Sequence, residues 1–418
     1  MYQAARGTTD ILPEEQPYWR YVEKAIADIT QFYGYKRIDT PIFEDTSLFQ
    51  RSAGEYTDIV QKEMYTFDDR GGNSLTLKPE GTPAVCRAYI QHGMHNLQQP
   101  VRLYYISPIF RYDRPQAGRY RQHYQFGCEA IGDGDPAIDA EIIDIAWRFN
   151  KSLGLAKISL QLNNIGCPEC RPAYLKALKD YYNKYSDKLC DDCKIRLEKN
   201  PLRLLDCKKA SCQNIAQNAP RSIDGLCPAC SAHFKQLQQY LGLLGIPFSI
   251  NPRLVRGLDY YTRTVFEIQP EDEGGQSTIG GGGRYDGLIE ELGGKPTPAA
   301  GFAAGIERII LNLKKQGIDI PAPPALQVFF ACLGGKATEE AIKLAAVLHQ
   351  AGVSTVTATG SKSLKAQLRQ ANTLGARYAA IIGEEEIKAG TIILRDMADA
   401  KQETVALSEL AGRLGKLQ

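Results

Sequence analysis

Four arginines crowd one turn of this chain. Arg111, Arg114, Arg119 and Arg121 surround the loop Tyr112–Arg119, where Pro115 and Gly118 set a turn between two strand-like runs. Guanidinium groups fixed at a hairpin base can grip phosphate oxygens two at a time; an exposed basic hairpin is the plainer alternative. A second segment, LVRGLDYYTRTVFE (Leu254–Glu267), puts Arg256 beside a glycine and just before Tyr260 and Tyr261. As a pattern alone it also reads as a strand with ordinary aromatics. A third, GFAAGIER (Gly301–Arg308), places small residues ahead of a helix expected over Ile309–Lys315. Small residues let a ligand or a strand approach closely, and a helix N-terminus attracts anions; tight helix–sheet packing accounts for the same residues. The tract Gly280–Gly283 followed by Arg284-Tyr285-Asp286-Gly287 lacks GxxxxGK[ST] spacing, so a Walker-type nucleotide loop is not supported.

The cysteines form a separate group. Of 11, eight lie between Cys167 and Cys230. Cys167/Cys170, Cys190/Cys193 and Cys227/Cys230 are each C-x2-C, and Cys207 with Cys212 is a looser pair. Eight thiolates could complete two tetrahedral Zn²⁺ sites, or four could complete one. Free thiols in helical turns are the alternative. With no export signal expected from Met1–Asp10, metal ranks ahead of disulfides.

Around these residues the chain divides. The linker Ile318–Ala325 (IDIPAPPA) excludes regular helix or central strand. After it, strands expected at Gln327–Leu333, Val353–Ala358, Tyr378–Gly383 and Thr391–Met397 alternate with helices at Thr338–Gln350, Ser363–Leu374 and Leu407–Leu417. That alternation predicts a small α/β domain with a mostly parallel sheet. Before the linker, Tyr18–Tyr33 reads as an amphipathic helix with Val22, Ile26, Ile29 and Phe32 on one face. Strand-like runs follow at Leu75–Leu77, Val101–Phe110, Tyr120–Ile131, Ile158–Leu162, Leu258–Ile268 and Gln276–Gly281. Several follow one another without helices between them, so an antiparallel sheet and an α+β domain are expected. The expected division is a catalytic domain with linker over 1–325, interrupted by a Cys-rich insertion over 167–245, and a final domain over 326–418.

At 418 residues the chain suits two or three domains, and 43% hydrophobic with 23% charged residues is a globular composition. No stretch approaches the ~20 apolar residues of a membrane helix, so a cytoplasmic protein with no membrane partner is expected. Net charge is +2, but residues 151–245 carry 15 Lys/Arg against 8 Asp/Glu. Such a basic block can steer a polyanion, although a solvated lysine-rich surface is the blander reading. Two Cys₄ zinc sites would cut its +7 to about +3.

Taken in order, these segments resemble the class II aminoacyl-tRNA synthetases, and specifically the histidyl-tRNA synthetase family. RGTTDILPEE (Arg6–Glu15) is similar to that family's N-terminus, Gly34–Glu44 with Pro41 to class II motif 1, FRYDRPQAGRYRQHYQFGCEAIG (Phe110–Gly132) to motif 2 and GFAAGIER to motif 3. LVRGLDYYTRTVFE and GGRYDGL (Gly282–Leu288) resemble the two segments peculiar to the histidine enzymes. The resemblance covers essentially the whole chain. It implies a class II catalytic domain, a C-terminal α/β anticodon-binding-like domain, and a homodimer through motif 1. It implies activation of histidine with ATP and Mg²⁺, then transfer to the 3′ end of tRNA(His).

Residue roles follow from the same resemblance. Glu80, Gly81 and Thr82 of KPEGT, with Gln125, would hold the substrate α-amino group. Glu129 and Tyr261, with Tyr260 beside them, would read the imidazole, whose nitrogens offer a donor and an acceptor or two donors. Arg111 and Arg256 would flank the α-phosphate as the catalytic pair, and Arg308 would take the adenine face or the γ-phosphate. Asp113 and His123 would meet adenine, where the family usually has Glu and often Phe. Gln116 and Arg119 would meet the tRNA acceptor end. The histidine carboxylate is itself the nucleophile, so activation needs alignment and charge stabilisation and no general base.

Two other functions compete. A synthetase-like paralogue serves as the non-catalytic regulatory subunit of ATP phosphoribosyltransferase, but it lacks the C-terminal domain. Residues 326–418 and the intact Arg256, Tyr260 and Tyr261 favour the ligase. A zinc-stapled nucleic-acid-binding module would explain the basic block and leave the histidine-type segments unaccounted for. If zinc staples the insertion, the expectation is that metal removal spares amino-acid activation and impairs transfer.

Overall fold

Strands Val101–Phe110 and Gln122–Ile131 run antiparallel over their whole length, from Val101 opposite Ile131 to Phe110 opposite Gln122. This hairpin lies inside an eight-stranded sheet. Its order is Lys36–Arg37, Val101–Phe110, Gln122–Ile131, Ala299–Gly305, Gly280–Arg284, Thr262–Pro270, Ile158–Asn164 and Ser249–Ile250. All neighbours are antiparallel except the two short edge strands, which pair parallel. The structure is a computed structural model that describes residues 2–54, 57–115, 118–271, 278–360 and 362–415. It comprises two compact units, Met1–Pro321 and Ala322–Gln418.

In the first unit, one core joins helices Gln16–Phe32 and Pro136–Ser152 to Phe126, Cys128 and Phe266 of the sheet. Val22, Ile26 and Ile29 are buried as their spacing predicts, but Phe32 at the last turn is exposed. The second core joins Tyr105, Val265 and Tyr285 to helix Thr82–Gln91 and to insertion residues Tyr174, Leu178, Tyr182 and Leu197. The insertion therefore shares its apolar interior with the catalytic sheet and is not a separately cored module.

Several expectations shift. Helix Pro136–Ser152 was not foreseen, because burial on nearly every side leaves no polar face to mark the period. Residues 257–260 form bends and turns, so Tyr260 and Tyr261 precede the strand that begins at Thr262. Ala299–Gly305 is a strand, and its helix begins at Ile306. The strand expected from Gln276 is seen from Gly280, and Gln276 lies outside the described residues.

In the second unit, Val328–Cys332 pairs parallel with Thr355–Thr357 and Tyr378–Ile382. Thr391–Asp396 and Gln402–Ala406 then add antiparallel strands, which makes the sheet mixed. The last strand is at the edge and mostly exposed, so no apolar run marks it in the sequence. Among the described residues no helix is long and apolar enough to cross a membrane.

Candidate active site

Glycines shape the floor of a polar cleft of about 1020 Å³ in the first unit. A Cβ on Gly81 or on Gly127 would lie 2.3 Å from the Tyr105 ring, so this ring is sandwiched where only glycine fits. Gly301 pairs with Glu129 across the sheet, and a Cβ there would meet the Glu129 carboxylate at 1.8 Å. The small residues of GFAAGIER thus serve close strand packing, and they make room for a buried acid.

Glu129 is fully buried. Thr82 Oγ1 donates to its Oε1 at 2.7 Å and the Tyr285 hydroxyl donates to Oε2. Burial pushes this carboxyl up to about 8 against the pull of those two donors. Glu80 faces the cleft, where its Oε2 accepts from the Tyr260 hydroxyl at 2.8 Å and its Oε1 has no partner. Burial raises it to about 7, although Tyr260, Arg111 and Arg256 favour its charged form. The rings of Tyr260 and Tyr261 lie 4.6 Å apart, and Tyr260 meets Tyr285 edge-on at 5.7 Å. Acids and phenols thus alternate along the buried end of the cleft.

The arginines hold the other end. Arg111 donates through Nε to the Pro79 carbonyl at 2.7 Å, next to Glu80. Arg256 pairs with Glu267, whose other oxygen accepts from Thr278 at 2.9 Å and Gln269 at 2.8 Å. Burial opposes the charge of Arg256, yet Glu267 holds its pKa above the ordinary arginine value. Arg256 Nε is buried without a partner. Arg308 bridges the Gly118 carbonyl at 2.9 Å and the Thr278 carbonyl at 2.8 Å. His123 is kept neutral, down to about 3, by burial and by the charges of Arg111 and Arg308.

Glu80, Thr82, Arg111, Asp113, Arg119, His123, Gln125, Arg256, Tyr260, Tyr261 and Arg308 line the cleft. Gly81 supports Tyr105, and Glu129 lies beneath the floor behind Thr82 and Tyr285. Arg119 closes the hairpin loop on Asp113 at 2.9 Å, and Gln116 lies outside the described residues. Three residues with clear places here carried no role from sequence: Tyr285, Glu267 and Tyr105. The segment GGRYDGL contained the signal for Tyr285; its neighbour Arg284 is structural, buried against Asp139. Glu267 closes the segment LVRGLDYYTRTVFE but carried no role there, and nothing local marked Tyr105.

The cysteines fall into two sets. Cys167, Cys170, Cys227 and Cys230 place their sulfurs within 4.8 Å of one another, and so do Cys190, Cys193, Cys207 and Cys212.

Comparison with known proteins gives consistent results. The family model described as histidyl-tRNA synthetase matches residues 7–170 and 198–309, and that of the anticodon binding domain matches 327–417. A histidine–tRNA ligase of Dehalococcoides mccartyi is 62% identical over 416 residues, all of both chains. One from Desulforamulus reducens is 50% identical over 97% of each chain. The crystal structure of apo S. aureus histidyl-tRNA synthetase has 39% identity and a TM-score of 0.84, covering 99% of this chain and 100% of that one.

Proposed function

The chain belongs to the histidyl-tRNA synthetase family, and from that premise we propose how its cleft works as a histidine–tRNA ligase. The observation that carries the reading is the division of one cleft into a buried acid–phenol end and an arginine end, which suits an amino acid joined to a phosphate.

Histidine enters with its α-ammonium group against Glu80, whose free Oε1 supplies the missing acceptor, with Thr82 and Gln125 alongside. Its imidazole lies between Tyr261 and Thr82, above the buried Glu129 that Thr82 and Tyr285 hold. Each Glu129 oxygen has a second lone pair, so it can accept from imidazole while keeping its present donors. ATP arrives as its Mg²⁺ complex. Arg111 and Arg256 flank the α-phosphate, the histidine carboxylate attacks it, and pyrophosphate leaves toward Arg308. Because Arg111 and Arg308 are already anchored on carbonyls and Arg256 on Glu267, little reorganisation accompanies charge build-up on the phosphate. Neutral His123 and the carboxylate of Asp113 receive adenine. Histidine then passes to the 3′ end of tRNA(His) near the hairpin loop that carries Gln116 and Arg119.

The cysteine sets are proposed ligands of structural Zn²⁺. A cytoplasmic homodimer through Gly34–Glu44 belongs to the same reading, supported by the exposed Ile42, Phe43 and Phe67. A regulatory role without catalysis is disfavoured by the second unit, matched as an anticodon binding domain. Histidine-dependent ATP–pyrophosphate exchange tests the proposal: exchange with histidine alone among amino acids is expected, and its absence rejects the ligase reading.

A further inference from the structure

Sulfur spacing separates a metal site from a disulfide. A tetrahedron of thiolates at ~2.3 Å from zinc has edges of about 3.8 Å, whereas a disulfide holds its sulfurs at ~2.05 Å. Cys167 Sγ lies 3.8 Å from the sulfurs of both Cys170 and Cys227, and Cys190 Sγ lies 3.9 Å from that of Cys207. Backbone amides support the sulfurs: Cys167 N–H points to Cys170 Sγ and Cys190 N–H to Cys212 Sγ, each at 3.4 Å. Cys170, Cys227 and Cys190 stand at the N-caps of helices Arg171–Asn183, Pro228–Leu243 and Asp191–Lys199, where the helix dipole favours a thiolate.

The first set closes the neck of the insertion, because its two C-x2-C pairs lie 60 residues apart where the chain leaves and rejoins the catalytic fold. Its leading residue is tied to the histidine end of the cleft. The Gly166 carbonyl, just before Cys167, accepts from Arg263 N–H at 2.9 Å, from Arg171 at 3.0 Å and from Thr262 Oγ1 at 3.2 Å. Ile165 N–H returns a bond to the Arg263 carbonyl at 2.8 Å. Arg171, just after Cys170, also donates to the Tyr261 carbonyl at 2.5 Å. Arg263 has φ of +52°, a left-handed conformation unfavourable for a residue with a Cβ. Such a conformation persists where its surroundings over-determine it, and the bonds to the Cys167–Cys170 loop do that here.

The second set borders the cleft, which its members Cys190 and Cys207 line. It closes the loop 190–212, from which Arg196 and Arg203 reach Asp58 at 3.1 and 3.2 Å while Lys208 and Lys209 line the cleft.

We infer that the insertion carries two tetrahedral zinc sites, Cys167/Cys170/Cys227/Cys230 and Cys190/Cys193/Cys207/Cys212, and that the first positions Tyr261 for histidine through Gly166 and Arg171. The assignment of Tyr261 to histidine rests on the proposed ligase reading. Each site takes up Zn²⁺ with loss of its thiol protons, and each is an independent ligand set. Metal loss at the first site therefore weakens histidine binding, contrary to the expectation that the insertion matters only for transfer.

The test uses the full-length protein. Metal analysis of wild type purified without chelator gives two Zn²⁺ per chain, and Co²⁺ replacement gives the visible bands of tetrahedral thiolate sites. The double variants Cys167→Ser/Cys230→Ser and Cys193→Ser/Cys212→Ser each retain one metal and half the Co²⁺ absorption. In pyrophosphate exchange the first raises histidine KM ~10-fold or more with ATP KM little changed, the scale seen when support of a site is lost. The second leaves histidine KM near wild type, because the loop it closes is bonded to Asp58 and not to the turn that carries Tyr261. Arg171→Lys keeps both metals and its charge but disturbs the bonds to Tyr261 and Gly166, so it too raises histidine KM; it decides the matter if a cysteine variant fails to fold. Metal-free wild type with eight titratable thiols overturns the zinc sites. Two metals with an unchanged histidine KM in Arg171→Lys overturns the positioning role. A wild type without histidine-dependent exchange strikes the ligase reading instead and leaves the metal count standing.

Discussion

The Tyr285 hydroxyl donates to Glu129 beneath the cleft floor, across 156 positions of sequence. Its partner across the same carboxylate is Thr82, so the acid expected to read imidazole is clamped from both sides. Tyr285→Phe removes one clamp and leaves a buried acceptor less satisfied, a change that costs ~1–3 kcal/mol. Histidine KM is expected to rise ~10-fold or more, with ATP KM unchanged. A histidine KM within twofold of wild type in pyrophosphate exchange removes Tyr285 from the site.

Arg256→Ala is expected to lower exchange by ~10²–10³, the usual loss for one preorganised donor at a developing charge. It also strands the Glu267 carboxylate, so Arg256→Ala/Glu267→Gln serves as the control for stability. If the double variant regains near wild-type exchange, the arginine acts on the fold and not on the phosphate.

Tyr261→Phe is expected to reduce discrimination for histidine while sparing ATP binding. Single-turnover adenylate formation with histidine and with close analogues measures this directly. Equal KM and equal kcat for histidine in both proteins contradict the assignment.

Histidine binding is expected to strengthen as pH rises from about 6 to about 8. Glu80, raised to about 7 by burial, must be ionised to meet an α-ammonium group. Histidine KM should therefore fall over that range in wild type and lose this dependence in Glu80→Gln. A flat wild-type profile rules out Glu80 as the titrating group.

The same burial makes a stability prediction. Glu129 titrates near 8 when folded, whereas an unfolded glutamate titrates near ~4.3. The folded state binds the extra proton, so this contribution is complete below the unfolded value and is lost as pH rises through 8. Glu129→Gln should therefore melt a few degrees above wild type at about pH 8, with the gap narrowing toward about pH 5. Calorimetry showing the same pH slope in both proteins counts against it.

Much of the architecture was legible because it is local. The strand-like run Val101–Phe110 is a strand as expected, and the alternate burial of its residues appears in the fold. The period of Val22, Ile26 and Ile29 marked a helix. Where burial is all-round, as in Pro136–Ser152, or nearly absent, as in Gln402–Ala406, pattern gave no contrast and the element was missed. Ala299–Gly305 failed for another reason: small residues carry little propensity, and its strand state comes from pairing on both sides.

The sequence by itself determined the family, the two-unit division around a proline-rich linker, and which residue types could meet a phosphate, an amine and an imidazole. Those are properties of short segments, and each segment keeps its motif wherever it is placed. Only the tertiary structure decided which cysteines come together, that Glu129 lies under the floor held by Tyr285, that Glu267 anchors Arg256, and that Cys167–Cys170 is bonded to the turn carrying Tyr261. Each of these is a contact between groups distant in sequence or a degree of burial. Spacing along a chain does not encode either, because both arise from the strand order that folds distant segments against one another.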